Sequence, residues 1–165
     1  MRLYIIGLPG VGKSSIGKML AKELNYKYID MDNYIEEKAC MFIDEIFKYY
    51  GEEYFRALES NVLVEFNNMD NVVISTGGGV IKNINNKKLM DGKVIYLTAP
   101  IHIIQERCDN SNIIRPLLEV KTVNDLYLER KEMYEKFQDI TVVNVNMKEA
   151  LANILKALEW LFWKF

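Results

Sequence analysis

Short runs rich in Val, Ile and Tyr recur along the chain at Leu3–Ile6, Lys27–Ile29, Val72–Ser75, Lys93–Leu97 and Ile140–Val143, and each predicts a strand. Between them apolar residues repeat at intervals of three and four, as along one face of a helix: Ile16, Met19, Leu20 and Leu24 near the start, Leu151, Ile154, Leu155 and Leu158 near the end. Strands alternating with helices predict an α/β fold whose parallel sheet is covered on both faces and whose crossovers are right-handed. Two stretches break the alternation. From about residue 33 to 66 the pattern is helical, interrupted near Cys40 and at Gly51, which predicts a helical insertion between the second and third strands. "CDNSNIIRPLLEVKT", Cys108–Thr122, is polar at first and broken by Pro116, so it predicts a mobile flap ahead of a helix at Val123–Phe137.

The 165 residues suit one domain with a real core. A net charge of -2 and a pI near 5.6 supply no general attraction for nucleic acid or an anionic membrane, so any anion must be held by a local constellation. Cys40 and Cys108 stand apart and His102 is the only histidine, which argues against a zinc site or a disulfide framework. Reduced thiols, an N-terminus that enters a strand at once and the lack of a long apolar stretch lead us to expect a cytoplasmic protein without a membrane partner.

"GLPGVGKSS", Gly7–Ser15, follows the first strand and opens the first helix, matching G-x-x-x-x-G-K-[ST] in the context that pattern requires. Backbone N–H groups of such a loop converge on phosphate oxygens, with the positive helix end behind them. Gly10, Val11, Gly12, Lys13, Ser14 and Ser15 are therefore candidate nucleotide ligands. Lys13 would reach the β- and γ-phosphates, and the Ser14 hydroxyl would ligate Mg²⁺. The loop serves switches, ATPases and kinases alike, so the reaction has to be read elsewhere.

Four further features qualify. Asp30 and Asp32 in "YIDMDNYIEE" are expected to close the second strand on one side of the sheet, one to orient Mg²⁺ and the other to take a proton from a hydroxyl; the plainer reading makes Asp32 a helix N-cap. Three glycines in "STGGGV", Ser75–Val80, suggest close approach of backbone to a ligand. Arg56 in "GEEYFRALES" shares a helical face with Glu59 and is either a surface ion pair or a grip for a substrate carboxylate. Arg115 in "IIRPLL" lies in the flap, where it could swing over the phosphates.

Taken in order, "GLPGVGKSS", "DMD", "GEEYFR", "GGG", "RPLL" and "ERKEMY" resemble the shikimate kinases, of the nucleoside-monophosphate-kinase-like P-loop group, from residue 7 to about 134. The resemblance implies a single domain, 1–165, with a three-layer P-loop kinase fold: a central five-stranded parallel sheet flanked by helices, a substrate-binding insertion at about 33–66 and a lid at about 109–122. It implies ATP-dependent phosphorylation of the 3-hydroxyl of shikimate by a monomer that uses Mg²⁺. Lys13, Asp32 and Arg115 would be catalytic; Asp30 and Ser14 would serve the metal. Asp32, Arg56, Gly78, Gly79 and Arg130 would hold shikimate, with Glu59 positioning Arg56. Arg107 would flank the adenine and Arg115 would stabilise charge on the phosphoryl group in transit. The chain departs from the family at "KACMF", where Thr-Gly is usual, at Glu132-Met133, where Pro-Leu is common, and at "VNVNMKEA", a short version of an adenine-contacting loop that leaves Asn144 and Asn146 as candidates. The alternatives are a kinase for gluconate or a nucleoside monophosphate, and a nucleotide-binding module without activity. Trp160 and Trp163 near the C-terminus are expected to pack into the core.

Overall fold

Strands form where the apolar runs predict them. In the computed structural model, which describes residues 1–111 and 121–163, they are β1 (Arg2–Ile6), β2 (Lys27–Asp30), β3 (Val72–Ser75), β4 (Lys93–Thr98) and β5 (Ile140–Val143). All neighbours pair in parallel, in the order β2-β3-β1-β4-β5. Tyr4 on β1 pairs with Ile74 on one side and Val94 on the other, so β1 is central. Leu3, Tyr4, Ile5 and Ile6 are fully buried, as a strand covered on both faces must be. Each such side chain contributes roughly 1.5–3 kcal/mol through burial.

The helices are α1 (Lys13–Leu24), α2 (Met31–Ala39), α3 (Ile43–Phe66), a short α4 (Asn86–Leu89), α5 (Ile101–Asp109), α6 (Val123–Phe137) and α7 (Met147–Trp163). The expected insertion is α2 and α3. Cys40 ends α2 in a left-handed conformation at φ 51°, and Gly51 kinks α3 at φ 84°, ψ 172°, so both predicted interruptions are real. After β1 the chain builds outward to β2 and back to β3, then crosses to β4 and β5 on the other side. That reversal opens a crevice at the carboxyl end of β1, where ligands of open α/β sheets bind. Among the described residues no helix is long and apolar enough to cross a membrane.

One expectation fails. Trp160 is 59% exposed. The inward stripe of α7 is Ala150, Leu151, Ile154 and Leu158, and two residues beyond Leu158 the helix has turned its side chains to the opposite face. The Trp163 side chain lies outside the described residues.

Candidate functional site

The glycine loop leaves β1 and delivers the chain into α1, whose first-turn N–H groups have no intrahelical acceptor. Gly12 makes the turn at φ 100°, and a Cβ there would lie 2.7 Å from Asn144 Nδ2, so only glycine fits. Lys13 donates from Nζ to the carbonyls of Gly7 (2.9 Å) and Leu8 (3.0 Å), which keeps the ammonium over the loop. Ser14 and Ser15 are exposed at its mouth.

The loop is braced from behind. Asn144 Nδ2 donates to Val11 O at 2.9 Å, and its own backbone N–H donates to Thr98 O at 2.7 Å. Arg107 joins Val11 O (3.3 Å) to Val145 O (3.1 Å), tying the loop to the β5–α7 turn. Asn144 is fully buried, and Asn146 accepts the backbone N–H groups of Lys148 and Glu149 at the start of α7. Both asparagines are thereby engaged within the fold. A small polar residue just after a predicted strand was the available signal for Asn144, but nothing local identifies its acceptor.

The two aspartates differ from their expected placement. β2 stops at Asp30 and α2 begins at Met31, so strand alternation does not govern Asp32. The N-cap is Asp30, not Asp32: its Oδ1 accepts from Asn33 N–H at 3.4 Å. Its Oδ2 accepts from the Ser14 hydroxyl at 3.0 Å and the Tyr28 hydroxyl at 3.3 Å. A hydroxyl and a carboxylate oxygen side by side at the phosphate loop are the hard donors Mg²⁺ prefers. Asp32 sits in the first turn of α2, partly buried. Burial first, and the nearby Asp30 carboxylate second, push its pKa up to about 6 against the pull of Lys13.

Gly77, Gly78 and Gly79 form a hub beside the phosphate loop, where Pro9 packs against Gly78. A Cβ on Gly77 would lie 2.7 Å from Asp32 Oδ1 and 3.1 Å from Glu59 Oε1; on Gly78, 3.5 Å from Arg130 Nη1; on Gly79, 2.5 Å from Arg56 Nη2. Side chains from α2, α3 and α6 thus meet along one three-residue turn that carries no side chain of its own. Arg56 Nη1 donates to the buried Glu59 Oε2 at 2.5 Å, while Nη2 and Nε reach Glu52 Oε1 at 3.0 and 3.2 Å. Glu52 in turn takes Lys82 Nζ at 3.0 Å. Glu59 is completely buried, which raises its pKa to about 7 despite Arg56.

Arg130 is 1% exposed, and its Nη1 donates to Gly78 O at 3.0 Å. Among the described residues its Nε has no hydrogen-bond partner, and Glu129 Oε1 stands 3.8 Å away. A buried cation so thinly neutralised favours an incoming anion. Tyr134, one helical turn on, donates its hydroxyl to the same Gly78 carbonyl at 2.6 Å. Its i,i+4 spacing from Arg130 was legible, but its target was not. Glu52 and Lys82 also escaped notice in the sequence. Arg115 and the middle of the expected lid, 112–120, lie outside the described residues.

The family model described as shikimate kinase matches residues 9–159. A shikimate kinase of Clostridium botulinum is 46% identical over 147 residues, 87% of this chain and 87% of that protein. Among solved structures, the shikimate kinase from Acinetobacter baumannii in complex with shikimate superposes with a TM-score of 0.87 at 30% identity, over 95% of this chain and 92% of that one. The shikimate kinase from Bacteroides thetaiotaomicron gives a TM-score of 0.87 at 29% identity, over 96% and 98%. The likeness spans the phosphate loop, the insertion and the glycine hub together, and the chain belongs to the shikimate kinase family.

Proposed function

We infer that this chain transfers the γ-phosphoryl group of ATP to the 3-hydroxyl of shikimate. The observation that carries the reading is the meeting of Asp32, Arg56 and Arg130 on the turn Gly77–Gly79, at the sheet edge that also bears the phosphate loop. An acid with ring hydroxyls suits that constellation: two guanidinium groups for its carboxylate, a carboxylate and backbone N–H groups for its hydroxyls. The shikimate bound to the Acinetobacter baumannii relative supports the same choice.

The geometry of the described residues supports the following roles. Asp32, with its pKa lifted towards 6, remains ionised at neutral pH yet is a stronger base than an ordinary aspartate. It accepts the proton of the 3-hydroxyl as that oxygen bonds to the γ-phosphorus and the bond to the ADP oxygen breaks. Glu59 and Glu52 keep the Arg56 fork facing Gly79, so little ordering is left to be done on binding. Lys13 and the loop N–H groups stabilise charge on the phosphates, and Arg115 is assigned the same task from the lid. Ser14 and Asp30 would hold Mg²⁺, which when bound neutralises phosphate charge. Monomeric action in the cytoplasm completes the proposal.

The test is ADP release by the purified protein with Mg·ATP and a panel of acceptors. Release that depends on shikimate, with formation of a single phosphomonoester, is the expected result. Turnover of gluconate or a nucleoside monophosphate without shikimate would reassign the substrate, and nucleotide binding without transfer to any acceptor would make the chain a binding module.

A further inference from the structure

The carbonyl of Gly78 accepts from two side chains of α6, Arg130 Nη1 at 3.0 Å and the Tyr134 hydroxyl at 2.6 Å. Two donors on a single acceptor are more than satisfaction of one part-buried carbonyl requires. Tyr134 is itself fully buried and lies stacked on Tyr96, ring centroids 5.0 Å apart at 18°, so its ring is held independently of its hydroxyl. Burial pushes its pKa up, so the hydroxyl remains a donor throughout the working pH range.

The consequence lies one peptide on. No peptide bond among the described residues is cis, and in a planar trans unit the carbonyl of one residue and the N–H of the next point in opposite directions. Holding the Gly78 oxygen against α6 therefore turns the Gly79 N–H away from α6. Among the described residues that N–H donates to nothing, and neither does the N–H of Gly78. Arg56 lies against the same residue, close enough to collide with a Cβ placed there.

We propose that Tyr134 is a positioning residue for the acceptor substrate: with Arg130 it pins the Gly78 carbonyl and thereby presents the Gly79 N–H as a ready-made donor. The proposal rests on the reading of the site as a shikimate site only for the identity of the ligand. The oriented peptide belongs to the chain itself. It also assigns Arg130 a second duty, since one of its donors serves the hub while the rest of its guanidinium remains for an anion.

Two substitutions separate this role from plain packing. Tyr134→Phe removes the hydroxyl and keeps the stacked ring, while Tyr134→Leu removes both. Loss of one hydrogen bond predicts that Tyr134→Phe raises KM for shikimate about five- to tenfold, leaving KM for ATP, kcat and Tm close to wild type. Tyr134→Leu should lower Tm as well. In the ligand-free protein, amide exchange and the ¹⁵N order parameter at Gly79 should report a loosened peptide in Tyr134→Phe, with Gly12 unaltered. Equal effects on both KM values, or a Gly79 amide as ordered as in wild type, would overturn the proposal. If wild type does not turn over shikimate at all, the functional reading fails and the Gly79 amide alone decides this one.

Discussion

The two halves of the site are built in different ways. The proposed nucleotide half is mainly backbone from one contiguous stretch, Gly7–Ser15, with Lys13 folded over it and Asn144 and Arg107 bracing it from behind. The proposed acceptor half is mainly side chains carried in from α2, α3 and α6 onto a glycine turn. A backbone cradle fails when something is added to it. A cluster of side chains fails when a charge is taken away. The first tolerates neighbours that change so long as its φ angles survive, whereas the second depends on three helices staying in register with a single turn.

Asp32→Asn offers the sharpest break and the largest effect. The amide cannot accept the proton, so kcat should fall about 10²–10⁴-fold while nucleotide binding persists. Its stability should move the other way. The native pKa of Asp32 is raised to about 6 from an ordinary 3.8, so the unfolded chain ionises first as pH rises. The native state is penalised increasingly from about pH 4 to 6 and by a constant amount above that range. Asn removes the penalty, so Tm of the ligand-free variant should exceed wild type at pH 7.5, with the gap closing below about pH 4. In wild type, kcat/KM for shikimate should decline as pH falls through about 6. A Tm that drops in the variant at pH 7.5 would mean that the carboxylate is structural.

Arg56→Ala comes next. It removes a charged donor and leaves Glu59 buried without its partner, so KM for shikimate should rise roughly 10–100-fold, with KM for ATP far less affected. Equal rises in both would make Arg56 a structural residue. The two kinds of glycine then sharpen the contrast. Gly12→Ala demands φ 100° from alanine and drives its Cβ into Asn144, so it should raise KM for ATP tenfold or more and lower Tm by several degrees. Gly79→Ala meets only the far end of the Arg56 side chain, and Gly79 already lies at φ -103°. Its effect should be confined to a severalfold rise in KM for shikimate at unchanged Tm. Calorimetry and two-substrate kinetics on the pair would dissolve the comparison if both variants affected both substrates alike.

Glu52→Gln should be the mildest. Glu52 is half-exposed and shares its charge between Arg56 and Lys82, and exposed pairs of that kind contribute little. A KM for shikimate within about threefold of wild type is expected from titration at constant ATP. A change as large as that of Arg56→Ala would make Glu52 an equal partner in the clamp.

Much of this was open to reading because it is local. A strand such as Leu3–Ile6 announces itself by apolar β-branched residues, and the phosphate loop by glycines at the positions where the backbone must turn. The kink at Gly51 and the end of α2 at Cys40 are local too. What failed depended on a switch between periodicities. Asp32 could not be placed by strand alternation because the chain becomes helical one residue after Asp30, and Trp160 could not be assigned a face without knowing which stripe of α7 meets the sheet. Asn144, Lys82 and Tyr134 act through partners distant in sequence, and no spacing rule names those, whereas the Glu52–Arg56 pair follows the i,i+4 spacing of a helix.

The chain's own order of residues determined the strands, the phosphate cradle and the family's recurring motifs, since each is a short-range matter of sterics, hydrogen bonding and hydrophobic period. Only the packed fold decided that carboxylates and guanidinium groups from three helices share one glycine turn, that Asp32 sits where burial raises its proton affinity, and that the Gly78 carbonyl is gripped from α6. Those are properties of distance and dielectric between groups far apart along the chain, and they come into being only when the sheet gathers its flanking helices and loops at the carboxyl end of the strands.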